Sequence, residues 1–289
     1  MRILVTGGSG FLGSHIAQEL VRQGHDVLSF DTNLPPVGGY AHVFGDVRDQ
    51  EDVAVALNGC EALFHCAAVA DLDNARREPR LATEVNVLGT LSVMEAAAAA
   101  GVSRFMHASS VYVFSRGGSV YRTTKRAAES LVDDLSESFE LQSTILRFGS
   151  LYGPRADDRN AIARLIRQAM TQGRIDFWGN GTEVREYVHI SDAASLAVEA
   201  MDISNAGEAL HITGHERVTT RELVQMIAEM LGEDIEVTFR DEAFEGRYQI
   251  TPYALDSAAG RRMVGKTYVD LGLGILDLMN GLREPSENT

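Results

Sequence analysis

The sequence predicts an α/β protein built on a doubly wound parallel sheet, with a smaller α/β lobe at the carboxyl end. Three observations support this prediction. Short apolar runs typical of buried strands alternate with segments of helical periodicity through the first half of the chain. A glycine-rich turn joins the first apolar run to the first helical segment. Beyond residue 150 the pattern is less regular, so we expect a sheet domain over residues 1–150 and a smaller lobe, interleaved with it, over residues 151–289.

The predicted elements alternate between strand and helix. Apolar runs predict strands at residues 3–5, 27–30, 43–44, 62–66, 104–108, 144–148 and 210–212. Apolar residues at helical spacing predict helices starting at residue 11 and near residues 50–57, 80–100, 121–138, 159–172, 193–202 and 219–231. Asp192 is expected to cap the helix over residues 193–202. Strands separated by helices imply parallel pairing, with ligands at the carboxyl ends of the strands.

The turn after the first strand carries the glycines that a phosphate-binding turn needs. Gly7 allows a tight turn, Gly10 presents bare backbone that a pyrophosphate can approach, and Gly13 lets helix and strand pack closely. Phe11 and Leu12 open the helix, whose N-terminus offers free N–H groups and a partial positive charge to an anion. The stretch therefore predicts a site for the phosphates of a dinucleotide.

An acidic residue in the right place identifies which dinucleotide is expected. Asp31 ends the second predicted strand, 18 residues after Gly13. A carboxylate there can accept hydrogen bonds from both ribose hydroxyls of an adenosine and would repel a 2′-phosphate, so NAD is favoured over NADP. The alternative is that Asp31 serves only as a turn or cap residue. Ala67 and Ala68 follow the fourth predicted strand, where small side chains let a cofactor lie against the backbone.

Composition excludes several classes of partner. The net charge of −15 argues against a nucleic-acid or anionic-membrane surface, and no apolar run reaches membrane length. Because the first predicted strand starts at residue 2, we expect no signal peptide. Cys60 and Cys66 are the only cysteines, as is typical of a reducing, cytoplasmic setting. We expect a cytoplasmic enzyme with a small-molecule substrate and no metal site.

Two segments carry a family resemblance. The turn Thr6–Gly13, spaced G-x-x-G-x-x-G, resembles the extended branch of the short-chain dehydrogenase/reductase superfamily. Residues 177–192, Phe-Trp-Gly-Asn-Gly-Thr-Glu-Val-Arg-Glu-Tyr-Val-His-Ile-Ser-Asp, resemble a segment of its NAD-dependent epimerase/dehydratase family. The resemblance implies a Rossmann-type NAD-binding domain and a substrate-binding carboxyl-terminal lobe. It also implies that Asp46 and Val47 hold the adenine, and that residues 86–100 help to form a four-helix homodimer interface.

Tyr121 and Lys125 lie four residues apart on one predicted helix, so their side chains are neighbours. A phenol that acts as a base near pH 7 needs its anion stabilised by about three pKa units, or roughly 4 kcal/mol. A nearby ammonium and a nicotinamide cation can supply that stabilisation. The chain has only one other lysine, Lys266, so a compact point charge at 125 stands out. The alternative is a solvated helix pair.

The serines Ser109 and Ser110 directly follow the fifth predicted strand. Their hydroxyls are therefore expected at the edge of the sheet where ligands bind. In the family pattern Ser-(Ser/Thr)-x-x-Val-Tyr-Gly the second hydroxyl is catalytic, which implies Ser110; Ser109 is the alternative, because the pattern ends imperfectly here. Family dehydratases place Asp-Glu directly after this hydroxyl, and decarboxylases place a Glu there. This chain has Val111 and Tyr112, which cannot remove water or carbon dioxide by acid–base chemistry.

What remains is oxidation and reduction at a carbinol carbon. The resemblance implies an NAD-dependent epimerase of a nucleotide-diphosphate sugar, in which Tyr121 takes the hydroxyl proton, NAD takes the hydride, and hydride returns to the other face. A reductase or dehydrogenase of a keto-sugar or another carbonyl compound is the alternative. A catalytically silent dinucleotide sensor is a third, but it would have no need of Ser110, Tyr121 and Lys125.

The resemblance also assigns the substrate site. Arg185 is expected to bind the substrate diphosphate; the alternative is an internal ion pair with Glu183 or Glu186. Ser150 stands where sugar epimerases usually have an Asn that contacts the substrate. Ser110 and Tyr121 are only 11 residues apart, which is a shorter connection over the substrate than the family normally has.

Overall fold

In the computed structural model, residues 1–115, 117, 119–232, 234–240, 249–250 and 260–283 are described. The strands are β1 Arg2–Thr6, β2 Asp26–Asp31, β3 Ala41–Phe44, β4 Ala62–His65, β5 Arg104–Ser110, β6 Gln142–Phe148, β7 Ser150–Tyr152, β8 Arg174–Trp178, β9 Val184–Arg185, β10 Tyr187–His189, β11 Ala209–Ile212, β12 Val218–Thr219, β13 Glu236–Arg240 and β14 Arg261–Met263. The helices are α1 Phe11–Arg22, α2 Gln50–Ala56, α3 Leu72–Arg77, α4 Pro79–Thr83, α5 Gly89–Ala99, α6 Ser119–Ser136, α7 Ala161–Gln172, α8 Ile190–Glu199, α9 Thr220–Leu231 and α10 Leu271–Arg283.

Eight of these strands form one sheet in the order β14-β11-β6-β5-β4-β1-β2-β3. Every pairing in it is parallel. The chain starts in the middle at β1, builds outward through β2 and β3, and then returns to build the other half from β4. This confirms the predicted doubly wound α/β fold and puts the crevice where the strand order reverses, between β1 and β4.

The sheet is covered on both faces because its strands are apolar on both. In β1, Ile3 and Val5 pack with α1 and α8 on one face, whereas Leu4 packs with α2, α5 and α6 on the other. Such continuous burial is what a central parallel strand requires.

A third apolar cluster lies in the second half of the chain, where α7, α9 and α10 pack around the β8–β13 pair. Two short ribbons accompany it, the parallel β7–β10 pair and the antiparallel β9–β12 pair. The second half also supplies β11, β14 and α8 to the large sheet, so its residues contribute to both bodies.

Two predicted helices differ in detail from the structure. The stretch predicted as one helix over 80–100 contains a π-helical turn, Glu84–Leu88, between α4 and α5. The expected cap at Asp192 is wrong: α8 begins at Ile190, and the His189 side chain accepts the hydrogen bond from the Ser191 N–H. The Asp192 carboxylate instead accepts a hydrogen bond from the Val269 N–H across 2.8 Å. Within the described residues no helix has the length and apolarity to cross a membrane, and no cluster suited to a metal ion is found.

Candidate active site

The glycine turn is as tight as the sequence predicts. Gly7 has a positive φ of 68°, and a Cβ on it would come within 2.6 Å of the Ala67 nitrogen. A Cβ on Gly13 would lie 2.1 Å from the Gly7 carbonyl oxygen, so a side chain there would push α1 away from the turn. Gly10 precedes α1 without a side-chain cap. The first amides of α1, those of Phe11 and Leu12, are the helix N–H groups that a phosphate can use.

Asp31 lies directly beside this turn. Its carboxylate accepts hydrogen bonds from the Ser9 N–H at 3.1 Å and from the Asn33 N–H at 3.0 Å. The acid at the end of β2 and the phosphate-binding turn after β1 are therefore fixed relative to each other, as one adenosine diphosphate moiety would require.

Asp46 and Val47, the residues expected to contact adenine, follow β3. Val47 is buried and packs against Gly89, where a Cβ would come within 2.9 Å of it. The Asp46 carboxylate forms an ion pair with the Arg48 guanidinium, and this hydrogen bonding lowers the pKa of Asp46. Both charged groups line a cleft of about 500 Å³, which also contacts Glu84 and Leu88 of the π-helical turn.

A buried histidine, His65, at the end of β4 connects β1 with α5 next to the glycine turn. His65 hydrogen-bonds the Thr6 hydroxyl at 2.8 Å and the Thr90 hydroxyl at 3.0 Å, and burial lowers its pKa to about 3. It is therefore a neutral packing residue. Thr6 Oγ1 also accepts from the Ala67 N–H at 3.4 Å. This contact places Ala67, followed by Ala68, at the end of β4 beside Gly7.

Ser110, Tyr121 and Lys125 are brought together where β5 meets α6. The Ser110 hydroxyl accepts from the Tyr112 N–H at 3.3 Å and lies close enough to the Tyr121 phenol to lower its pKa. Burial raises the pKa of Tyr121 to about 12, and the Ser110 hydroxyl opposes this rise. A base that works near neutral pH must therefore draw further stabilisation from Lys125 and from a bound nicotinamide cation.

Lys125 is almost fully buried, and this burial lowers the pKa of its ammonium to about 8. Its Nζ donates to the Ala108 carbonyl oxygen at 2.8 Å. An ammonium has three N–H donors, so Lys125 can be held against β5 and still donate to a ligand hydroxyl or to the phenol.

The neighbouring hydroxyl, Ser109, has a different partner on α6. Its Oγ donates to the Glu129 carboxylate at 2.5 Å. The hydroxyl that acts on the Tyr121 phenol, by lowering its pKa, is that of Ser110. This arrangement favours Ser110 over Ser109 as the hydroxyl at the reacting oxygen.

The predicted substrate residues lie on two different elements. Ser150 starts β7, two residues after Phe148, which pairs with Ser110. Arg185 is 8% exposed and lies in the β9–β12 ribbon. The two described ion pairs of Glu186 go to Arg217 at 3.0 Å and to Arg262 at 4.0 Å.

Two groups of site residues escaped the sequence analysis as functional residues. The buried Asn86 amide bonds the Val69 N–H and carbonyl oxygen, and it donates to the Thr124 hydroxyl beside Lys125. Glu129 and Arg147 form a buried ion pair behind Ser109. Glu129 stands four residues after Lys125, and this spacing was the available signal.

The arrangement matches a known family. A model of the NAD dependent epimerase/dehydratase family fits residues 3–213. The chain belongs to this family. It is accordingly an enzyme whose cofactor is NAD. The glycine turn and Asp31 fit that cofactor, because added Cβ atoms would close the turn and the acid borders it.

Members similar to this chain carry out different reactions. The UDP-glucose 4-epimerase of Mycolicibacterium smegmatis is 27% identical over 99% of this chain and 100% of that protein. The 2-alkyl-3-oxoalkanoate reductase of Stenotrophomonas maltophilia is 32% identical over 80% of this chain and 76% of that protein. The solved structure of MoeE5 in complex with UDP-glucose and NAD superposes with a TM-score of 0.83 at 28% identity, over 98% of this chain and 99% of that one.

Proposed function

We propose that this family member is an NAD-dependent epimerase of a nucleotide-diphosphate sugar. The observation that carries the proposal is the set Ser110, Tyr121 and Lys125 without a carboxylate in the turn that follows. Residues 111–114 are Val-Tyr-Val-Phe, and the Tyr112 ring lies 6.3 Å from the Tyr121 ring in an edge-on contact. The groups that would expel water or carbon dioxide are missing from this described turn, whereas those for reversible oxidation are present.

In the proposed epimerisation, Ser110, Tyr121 and Lys125 each have a separate role. Ser110 hydrogen-bonds the reacting oxygen, and Tyr121 takes the proton from the sugar hydroxyl and later returns it. Lys125 stabilises the phenolate with its positive charge. NAD, when bound, accepts and returns the hydride. The keto intermediate turns between the two transfers, so the hydroxyl re-forms on the opposite face with no net redox change.

Two comparisons support a nucleotide sugar as the substrate. One relative, matched over 99% of this chain, is a UDP-glucose 4-epimerase, and MoeE5 was solved with UDP-glucose. Arg185, in the ribbon of the smaller lobe, is the candidate for the diphosphate. A guanidinium can bind two phosphate oxygens at once.

A panel of UDP-, dTDP-, GDP- and CDP-sugars, incubated with the protein and NAD and followed by proton NMR of the sugar, tests the proposal. We expect one sugar to interconvert with its epimer while NADH does not accumulate. Tyr121→Phe is the control for adventitious activity. Stoichiometric NADH formation, or no turnover of any member of the panel, would contradict epimerisation.

A second candidate is a reductase of a carbonyl compound without a nucleotide. The 32% identity to the 2-alkyl-3-oxoalkanoate reductase favours it, as does the short connection between Ser110 and Tyr121. The same preparation should then oxidise NADH or NADPH in proportion to an added 3-oxo compound. Such consumption, together with an inert sugar panel, would replace the first proposal with the second.

A further inference from the structure

Three consecutive turns of α6 contact the last three residues of β5. The Tyr121 phenol faces Ser110, whose hydroxyl lowers the pKa of the phenol. One turn later, Lys125 donates to the carbonyl oxygen of Ala108 at 2.8 Å. A further turn on, Glu129 accepts from the Ser109 hydroxyl at 2.5 Å. Helix α6, which carries the proposed base, is thus held by several side-chain contacts against β5, which carries the proposed catalytic hydroxyl.

Glu129, which bonds Ser109, also forms a buried ion pair with Arg147. The Arg147 guanidinium from β6 donates to both Glu129 carboxylate oxygens, at 2.9 and 2.8 Å. The two side chains are 12% and 9% exposed. Arg147 also lies over the Phe114 ring at 4.8 Å, and Phe114 ends the turn that follows Ser110. The ion pair therefore holds the chain on both sides of Ser110.

Four other titratable groups among the described residues lie near Tyr121 and the Glu129–Arg147 pair. On the sheet side, burial lowers the pKa of His65 and His107 and raises the pKa of the Cys66 thiol, so all three are neutral near pH 7. On α6, burial and Glu129 raise the pKa of Asp133. The charged groups on this part of α6 and on β6 that are not exposed are Arg122, which donates to the Ser115 carbonyl oxygen, Lys125, and the Glu129–Arg147 pair.

We propose that the Glu129–Arg147 pair is a positioning device, which holds Ser110 against Tyr121 and sets the electrostatic potential at the phenol. The inference rests on Tyr121 being the base of the proposed function, and it does not depend on which substrate is oxidised. Glu129 lies eight residues after Tyr121 on α6, a helix rise of about 12 Å. This rise sets the scale of the distance between the ion pair and the phenol. The two charges oppose each other, and in the intact protein the Glu129 carboxylate already helps to raise the pKa of Tyr121.

Removing one charge at a time should therefore move the ionisation of Tyr121 in opposite directions. Glu129→Gln deletes the negative charge and should lower the phenol pKa. Arg147→Gln leaves Glu129 uncompensated and should raise it. At roughly 12 Å and an effective dielectric constant of about 20 to 40, each shift should be about 0.5 to 1 unit. In the double variant Glu129→Gln/Arg147→Gln the pKa should return towards the wild-type value.

The measurement is the pH titration of the NAD⁺-bound protein labelled with ¹³C at the tyrosine Cζ, which needs no substrate. Tyr121→Phe identifies the resonance. Asp134→Asn, which removes an exposed carboxylate further along the same helix, is the matched control and should leave the pKa unchanged. Circular dichroism of each variant confirms that it is folded.

Shifts of opposite sign that cancel in the double variant would support the proposal. Equal pKa values in Glu129→Gln, the double variant and wild type would overturn it, even if both variants lose stability, because a merely structural ion pair gives no signed shift. If Arg147→Gln does not fold, Glu129→Gln and the double variant decide between these outcomes. The titration is independent of the sugar panel, so an inert panel would not affect this result.

Discussion

The Lys125 Nζ donates a hydrogen bond of 2.8 Å to the carbonyl oxygen of Ala108, two residues before Ser110. The lysine is 3% exposed, so its ammonium is anchored in a region where charge is poorly solvated. Burial lowers its pKa to about 8. The protein thus keeps a destabilising group close to the phenol that we propose as the base, as is common at active sites.

Lys125→Met should make the unliganded protein more stable at pH 7 and inactive. Because the folded-state pKa lies below the unfolded value of 10.5, the unfolded chain binds more protons between these values, and wild-type stability rises as pH increases from about 8 to 10.5. We expect a gain of about 1–3 kcal/mol at pH 7, reduced by the lost hydrogen bond to Ala108. Urea unfolding at pH 7 and pH 10 measures it, and the gain should shrink at the higher pH. An equal difference at both pH values would contradict a charged, buried Lys125.

Tyr121→Phe keeps the ring and its packing but removes the proton acceptor. Turnover of the true substrate should fall by roughly 10² or more, while NAD affinity measured by calorimetry stays within a few-fold. Tyr112→Phe, on the neighbouring ring, is the matched control and should retain most activity. Turnover of Tyr121→Phe close to that of wild type would remove this phenol from the mechanism.

Asp31→Ala should weaken the preference for NAD over NADP. The loss of charge-assisted hydrogen bonds to the ribose should reduce NAD affinity roughly tenfold or more, while NADP no longer meets a repelling carboxylate. Calorimetric titration with both dinucleotides measures the two affinities. Asp26→Ala, at the exposed opposite end of β2, should change neither. Tighter binding of NADP than of NAD by the unaltered protein would refute the role of Asp31.

Arg185→Ala should raise the KM for a nucleotide-diphosphate sugar. A charge-assisted hydrogen bond contributes roughly 1.5–3 kcal/mol, which corresponds to about 10- to 150-fold in affinity. NAD affinity should not change, since its phosphates are expected at the Gly7–Gly13 turn. Arg174→Ala, an exposed arginine of the same lobe, serves as the control. An unchanged KM for the sugar in Arg185→Ala would argue for the carbonyl reductase instead.

The protein should be a homodimer in which residues 86–100 and 121–138 pair with their counterparts. Ala96 and Ala97 are packed in the core, whereas Ala99 and Ala100 are exposed at the end of α5. Ala99→Arg should therefore disrupt a dimer formed through this helix, and Val55→Arg, on the exposed face of α2, should not. Light scattering at micromolar concentration distinguishes the two states, and a wild-type monomer would contradict the prediction.

The local features of the fold could be predicted because their causes are local. Apolar runs and helical spacing specify which segments become β1, α1 and β2. The glycines at 7, 10 and 13 predict the tight turn between the first two. Tyr121 and Lys125 share one face of α6 because of a four-residue interval. Each of these follows from neighbours along the chain, so the sequence alone determined them.

Contacts between distant segments required the tertiary structure. That β11 and β14 join the edge of the large sheet depends on strand pairing, which periodicity does not specify. The preference for Ser110 over Ser109 rests on their different partners on α6, Tyr121 and Glu129. The Glu129–Arg147 pair spans two elements 18 residues apart. Burial, which raises the pKa of Tyr121 and lowers that of Lys125, is a property of the packed interior and is not encoded at either position alone.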